Sequence, residues 1–209
     1  MDNPWQKISL SDYENHMSLG SVGQLQAMNR IMREQCSSFP SSEIMLLGAA
    51  GGNGLEHIDP TRTAHVYALD INAEYLKLCS RRFPNLKGIL SCLCVDLTDD
   101  VAELPHAGLL IANLLIEYIG YGHFQRIVDR VGPKWVSCVI QVDPEDAFVS
   151  DSPYLHVFDG LEEIHRSIDA DLLREKLAEI DYRSIGKEEF PLPNGKKLLR
   201  LDFQSGNSE

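Results

Sequence analysis

Ile44-Met45-Leu46-Leu47-Gly48-Ala49-Ala50-Gly51-Gly52-Asn53-Gly54-Leu55-Glu56-His57-Ile58 is the stretch whose reading decides the fold. Residues 44–47 carry no charge and read as a short buried strand. Gly48, Gly51, Gly52 and Gly54 crowd the chain into a tight turn, and residues 55–58 read as the first turn of a helix. Such a turn lets a ligand press against bare backbone, and a helix N-terminus there would offer unpaired N–H groups to an anion. His65-Val-Tyr-Ala-Leu-Asp70 follows as a second strand ending in a carboxylate. An acid at the tip of the second strand is placed to hydrogen-bond ribose hydroxyls. The front of the chain reads as a nucleoside-cofactor site. The bland alternative, a glycine loop that only packs a helix on a sheet, is weakened by Asp70.

Upstream, Ser11-Asp-Tyr-Glu14 and Ser21-Val-Gly-Gln24 both fit a capping box and predict two helix starts. Val22, Leu25, Met28 and Met32 carry the second helix to about Cys36, and residues 37–42 form a polar linker. Downstream, strand-like and helix-like segments alternate, which predicts a parallel sheet wrapped by helices. Residues 72–82 fit a helix with Ala73, Leu76 and Cys79 or Ser80 inward. Residues 90–95 fit a strand ending at Asp96-Leu97, and residues 108–113 another with Asn113 at its polar tip. Phe124, Ile127, Val128 and Val131 trace one helix face, closed by Gly132-Pro133. Residues 135–142 make a fifth strand. Residues 144–168 look irregular, as befits loops beyond the strand ends, where α/β folds build substrate sites. A helix over 170–180 precedes two extended segments joined by Pro191-Leu-Pro-Asn-Gly195, and Asn-Gly there signals a closing hairpin.

A chain of 209 residues, 44% hydrophobic and 24% charged, can bury one core. Its net charge of −12 argues against nucleic acid as a partner, because phosphate binding needs a basic face. The five cysteines lack metal-ligand spacing and read as buried free thiols of a reducing compartment, and the histidines show no paired ligand pattern. No metal is expected. With no basic apolar leader and no apolar run of spanning length, the protein reads as cytoplasmic with no membrane partner. Oligomeric state is not legible.

Taken together, the glycine loop, the acids ending strands two and three, the Asn ending strand four and the hairpin resemble the class I S-adenosylmethionine-dependent methyltransferases. The likeness covers nearly the whole chain. Leu47-Gly-Ala-Ala-Gly-Gly-Asn-Gly-Leu55 resembles the family's first motif, L-G-x-G-x-G-N-G-L. Leu69-Asp70-Ile71-Asn72 resembles the ribose motif, Val95-Asp96-Leu97 the adenine motif, and Asn113-Leu-Leu-Ile-Glu-Tyr118 the motif that lines the methyl-transfer pocket. Two positions depart: Leu46 replaces the usual acid before the first glycine, and Ala50 replaces the central glycine. The resemblance implies a three-layer Rossmann-like α/β fold. Its seven-stranded sheet would be mostly parallel, with a C-terminal antiparallel hairpin. Residues 1–40 would form a helical cap and residues 41–209 the cofactor-binding domain. It implies S-adenosylmethionine as cofactor, giving S-adenosylhomocysteine, held by Gly48, Ala49, Ala50, Gly52, Asn53, Asp70, Ile71, Asp96, Leu97 and Asn113.

The candidate catalytic residues are Asn113, Glu117 and Tyr118, with Glu117 the nearest possible base. Tyr13, His16 and Tyr154 are the candidates for the lid and substrate wall. Each has a plainer reading, as a turn cap for Asp96, a solvated residue for Glu117, and packing groups for His16, Tyr13 and Tyr154. The acceptor is expected to be a small molecule. Two rival functions stand beside methyl transfer. A cofactor-binding module without turnover is compatible with Leu46 and Ala50. A nicotinamide-dependent short-chain oxidoreductase would share Gly48-x-x-x-Gly52-x-Gly54, but it needs a Tyr-x-x-x-Lys pair, and none of the seven tyrosines has a lysine four residues on.

Overall fold

The computed structural model describes residues 3–100, 103–142, 149–150 and 152–206. The uncharged run of β1 (Glu43–Leu47) lies at the middle of the molecule, with Ile44–Leu47 all buried. Alternate side chains of a strand point to opposite faces. Ile44 and Leu46 therefore join one core cluster, while Met45 and Leu47 join the other. Around β1 stand β2 (His65–Asp70), β3 (Leu90–Cys94), β4 (Leu109–Asn113), β5 (Trp135–Val142), β6 (Tyr182–Pro191) and β7 (Lys197–Ser205), in the order β3-β2-β1-β4-β5-β7-β6. The first five strands pair in parallel and β7 runs antiparallel to both its neighbours. The predicted seven-stranded Rossmann-like sheet with its closing hairpin is present. The hairpin turn uses Gly195 at φ +82°, and Asn194 Oδ1 accepts from Lys196 N at 3.1 Å.

Helices α4 (Ile116–Val131) and α5 (Ala170–Ala178) cover one face of the sheet, burying Phe124, Val128, Leu173 and Leu177 against it. The other face carries α3 (Ala73–Arg82) and α2 (Gln24–Ser38), through Leu76, Cys79 and Met32. These are cores that residue truncation would damage. Leu47 or Leu110 cut back to alanine costs about 2–5 kcal/mol.

Several local expectations need correction. Residues 55–58 do not begin an α-helix: Leu55–His57 is a single 3-10 turn. Pro60 disfavours helix at the residue before it, and Asp59 Oδ1 accepts from the Thr61 backbone and hydroxyl at 2.8 and 2.7 Å, bending the chain into a turn. The face this helix would have covered belongs to α2, whose Asn29 bonds Asn53, Glu56 and His57. Helix α1 (Leu10–Ser18) is capped by Ser9, whose hydroxyl accepts from Asp12 N, so the capping serine is not Ser11. Helix α2 starts after Gly23 at φ +64° with no side-chain cap, because Gln24 turns inward to Gln141. Ala73 is exposed, and Tyr75 takes the inward place beside Leu76. The thiols also divide: Cys79 and Cys138 are buried, Cys36 and Cys92 half-buried, and Cys94 exposed. Part of the expected irregular loop is the 3-10 helix Leu155–Leu161, while residues 143–148 and 151 lie outside the described residues.

Among the described residues, no helix is long and apolar enough to cross a membrane.

Candidate active site

In a parallel sheet of this order, the chain leaves β1 and β4 in opposite directions, opening a crevice at their carboxyl ends. Gly48, at φ +68°, turns the chain off β1, and a Cβ there would stand 3.2 Å from the Leu115 side chain. Ala50 adopts φ +45°, left-handed backbone that a side chain tolerates poorly. Its N–H is spent on Asp70 Oδ2 at 2.8 Å, and Asn72 N donates to Oδ1 at 2.9 Å. Asp70 is 8% exposed. Burial raises its pKa, and the N–H bonds from Asn72, Ala50 and Ile71 oppose that. Each carboxylate oxygen has about two acceptor sites. Asp70 therefore fixes the glycine loop and can still meet a ligand.

Three cavities meet over this crevice, of about 90, 60 and 50 Å³. The largest is bordered by Gly48, Ala50, Asp70, Ile71, Asp96 and Leu97. Asp96 lies at its exposed lip, where one oxygen accepts from the Thr98 backbone and hydroxyl at 2.9 and 2.6 Å. The smallest runs along the loop past Ala49 and Asn53. The third lies beyond β4 and β5 and takes in His16, Gln24, Glu117 and Gln141. Tyr13 and Leu114 border all three, and Leu114 sits at φ +56° just past the β4 tip. A non-glycine residue in that region is strain held in place by its surroundings. Here Leu114 N donates to Val139 O at 2.8 Å.

The N-terminal arm forms the roof. Trp5 stands edge-on to Tyr13 and Tyr118, with ring centres 5.6 and 5.0 Å apart. Asn72 Nδ2 donates to Trp5 O at 2.9 Å, and the Tyr75 hydroxyl to Ile8 O at 2.8 Å. Glu14 pairs with Arg82 through both carboxylate oxygens. His16 Nδ1 lies 2.8 Å from Ser152 Oγ, tying α1 to the segment after β5. Burial pushes the His16 imidazole below its ordinary pKa, and Lys196 adds to this. Burial, and then the charges of Asp70 and Glu14, push the Tyr13 hydroxyl well above the usual phenol range. It stays protonated.

Several expected site residues act otherwise. Asn113 borders the two cavities along the loop, but its amide is committed behind it. It donates to Gln35 Oε1 and accepts from Gln35 Nε2, both at 2.9 Å. Gln35 Nε2 also lies 3.0 Å from Ser137 Oγ, which donates to Asp202 Oδ1, where Arg200 Nε binds at 2.9 Å. Asn113 thus stands at the cavity edge just before Leu114, with its side-chain amide held by Gln35. Gly52 borders none of the three cavities, since its open side faces Cys79 and Phe83. Tyr154 likewise stays out of them, packed in the apolar cluster with Phe158 and Leu161. Glu117 is not a solvated surface residue. It is 3% exposed and its Oε1 accepts from Gln141 N at 2.8 Å. Tyr118 walls both the largest cavity and the third. Sequence reasoning passed over Asn3, Trp5, Tyr75, Leu114 and Gln35. Only Gln35 left a signal, as a polar residue on the apolar stripe of Met28, Ile31 and Met32.

Among the described residues, no group of three or more His, Cys, Asp and Glu side chains could hold a metal ion. No family model matches the chain, and no curated protein matches its sequence. Its fold is similar to several solved structures. The N-methyltransferase NodS from Bradyrhizobium japonicum, in complex with S-adenosyl-L-homocysteine, superimposes with a TM-score of 0.68 at 13% identity, over 99% of this chain and 100% of that one. Magnesium protoporphyrin IX methyltransferase ChlM from Synechocystis, with bound SAM, gives 0.62 at 9% identity, over 88% and 81%. The [4+2]-cyclase SpnF gives 0.64 at 10% identity, over 86% and 80%. At these identities the fold is what is shared, and it carries more than one chemistry.

Proposed function

We propose that this chain is an S-adenosylmethionine-dependent methyltransferase acting on a small-molecule acceptor. The observation that carries the reading is the meeting of three cavities at Tyr13 and Leu114, with Asp70 and Asp96 both opening onto the largest. Asp70 would hold ribose hydroxyls, Asp96 and Leu97 would face adenine, and the backbone from Gly48 to Ala50 with Asn53 would border the amino-acid tail. S-adenosylmethionine would supply an electrophilic methyl group on a sulfonium. The protein's own part is to align the acceptor with that methyl and keep water out, which Tyr13, Leu114 and Tyr118 would do at the junction.

The donor set fits the cofactor. Residues 1–40 would be its cap, since Trp5 and Tyr13 both border the largest of the three cavities and the third. The cap's latches to Asn72, Tyr75 and Arg82 sit on the helix that begins just past Asp70.

A net charge of −12 supports a metabolite over a nucleic acid as acceptor. The test is to incubate the chain with methyl-labelled S-adenosylmethionine and a pool of metabolites, RNA and protein. Label should enter small molecules alone. Label confined to RNA or intact protein would contradict the acceptor class, and S-adenosylhomocysteine binding without any transfer would favour a binding module.

A further inference from the structure

The 60 Å³ chamber differs in kind from the other two cavities, because no part of the glycine loop borders it. Its described lining residues include no Lys, Arg or Asp, and the Lys196 charge acts on His16 at its edge. The one carboxylate among those described residues is Glu117, on the first turn of α4, 3% exposed and held by Gln141 N. Rings of Trp5, Tyr13, Tyr118 and Phe158 border the same chamber. We propose that this chamber selects a compact primary or secondary amine, taken up as its ammonium between the Glu117 carboxylate and those rings. The proposal rests on the methyltransferase reading and names the acceptor class for it.

A carboxylate in a desolvated chamber attracts a cation more strongly than it would in water. Aromatic faces attract an ammonium and gain little from a neutral hydroxyl. An acceptor carrying its own carboxylate beside Glu117 would set two like charges in one desolvated space. At about 60 Å³ the chamber is smaller than the cavity over Asp70. That suits a short amine or the amine end of a narrow molecule.

The ammonium must lose one proton before its nitrogen can react. His16 borders the same chamber, but burial and the Lys196 charge keep its imidazole below its ordinary pKa, a poor base for an alkylammonium, so the amine's proton passes to solvent water. The freed nitrogen lone pair then forms the N–C bond as the S–C bond breaks. That bond's electron pair stays on sulfur, and the amine's proton has passed to water. Charge and atoms balance without a reactant beyond solvent water.

Calorimetry on the full chain with saturating S-adenosylhomocysteine tests this with three probes of similar shape: n-propylamine, 1-propanol and propionate. The amine should bind at least tenfold more tightly than the alcohol, and propionate should not bind. Glu117→Gln, which keeps shape and removes charge, should erase the tenfold preference while S-adenosylhomocysteine affinity stays within about twofold. Equal binding of the alcohol or of propionate overturns the proposal. So does a Glu117→Gln variant that binds S-adenosylhomocysteine and still prefers the amine. The preference of the unaltered chain decides the matter even where the variant does not fold. If the unaltered chain binds no S-adenosylhomocysteine, the methyltransferase reading falls and this inference with it. If it binds S-adenosylhomocysteine but shows no preference for the amine, this inference alone falls.

Discussion

On the loop side of the site, the bond from Ala50 N to Asp70 spans 20 residues of chain, and Asn72 N reaches Asp70 across two. On the chamber side, the bond from His16 to Ser152 spans 136 residues, and Gln24 reaches Gln141 across 117. Closing a loop costs about 0.6 kcal/mol more for each doubling of its length, so the longer closure costs about 1.7 kcal/mol more than the shorter. The loop side is pinned by its own neighbourhood, whereas the chamber side depends on the whole fold being in place. The difference separates a floor closed by local contacts from a roof closed by distant ones.

Breaking the floor should have the largest effect. Asp70→Ala would remove the proposed charge-assisted ligand contact, the bond from Ala50 N in the loop and the bond from Asn72 N at the head of α3. A hydrogen bond to a charged group contributes about 1.5–3 kcal/mol, so S-adenosylhomocysteine affinity should fall roughly ten- to a hundredfold by calorimetry. An unchanged affinity in a folded Asp70→Ala chain would mean that the second strand does not end at the ribose.

Gln35→Leu probes the polar clamp beneath the β4 tip, where the two regions meet. Leaving Asn113 and Ser137 without this partner should cost about 1–3 kcal/mol in denaturant unfolding. If the clamp positions Leu114, acceptor turnover should suffer more than cofactor affinity. A loss of stability with turnover per folded molecule intact would reduce Gln35 to a packing role.

Tyr75→Phe cuts one latch of the roof and leaves the floor alone. The loss of a single neutral hydrogen bond to Ile8 O costs about 0.5–1.5 kcal/mol. Limited proteolysis should show faster cleavage in residues 3–18, with S-adenosylhomocysteine restoring protection. Uniform cleavage across the chain would show that the arm does not open separately.

Ala50→Gly should act in the opposite sense, relieving left-handed strain and raising stability by up to about 1 kcal/mol. Acidification should have the smallest effect. The His16 pKa lies below its unfolded value of 6.5, so its contribution is present above pH 6.5 and is lost as pH falls from there through the lower folded-state pKa. Hydrogen exchange in α1 should accelerate below pH 6.5 before exchange in β1 does, and His16→Gln should remove that difference.

The legibility of the sequence follows the same division. The uncharged run of residues 44–47, the acid at 70 and the Asn-Gly turn each carry a local signal, and the sheet order and hairpin follow from them. The missing helix after the glycine loop had a signal too, in Pro60, which outweighs the apolar Leu55 and Ile58. Trp5 and Asn3 gave none, because nothing near them in the chain tells that Asn72, 67 residues on, holds Trp5 in place. Asn113 was read from its place at a strand tip, yet its amide faces Gln35, a contact spanning 78 residues. Residues whose roles are set by near neighbours could be read; those set by distant ones could not.

The central claim is that the floor is a site for S-adenosylmethionine chemistry. Titration calorimetry of the unaltered chain with S-adenosylhomocysteine, NAD and NADP tests it most directly. The account predicts saturable one-to-one binding of S-adenosylhomocysteine and no heat from either nicotinamide. Saturable binding of NAD or NADP, with no response to S-adenosylhomocysteine, would contradict it.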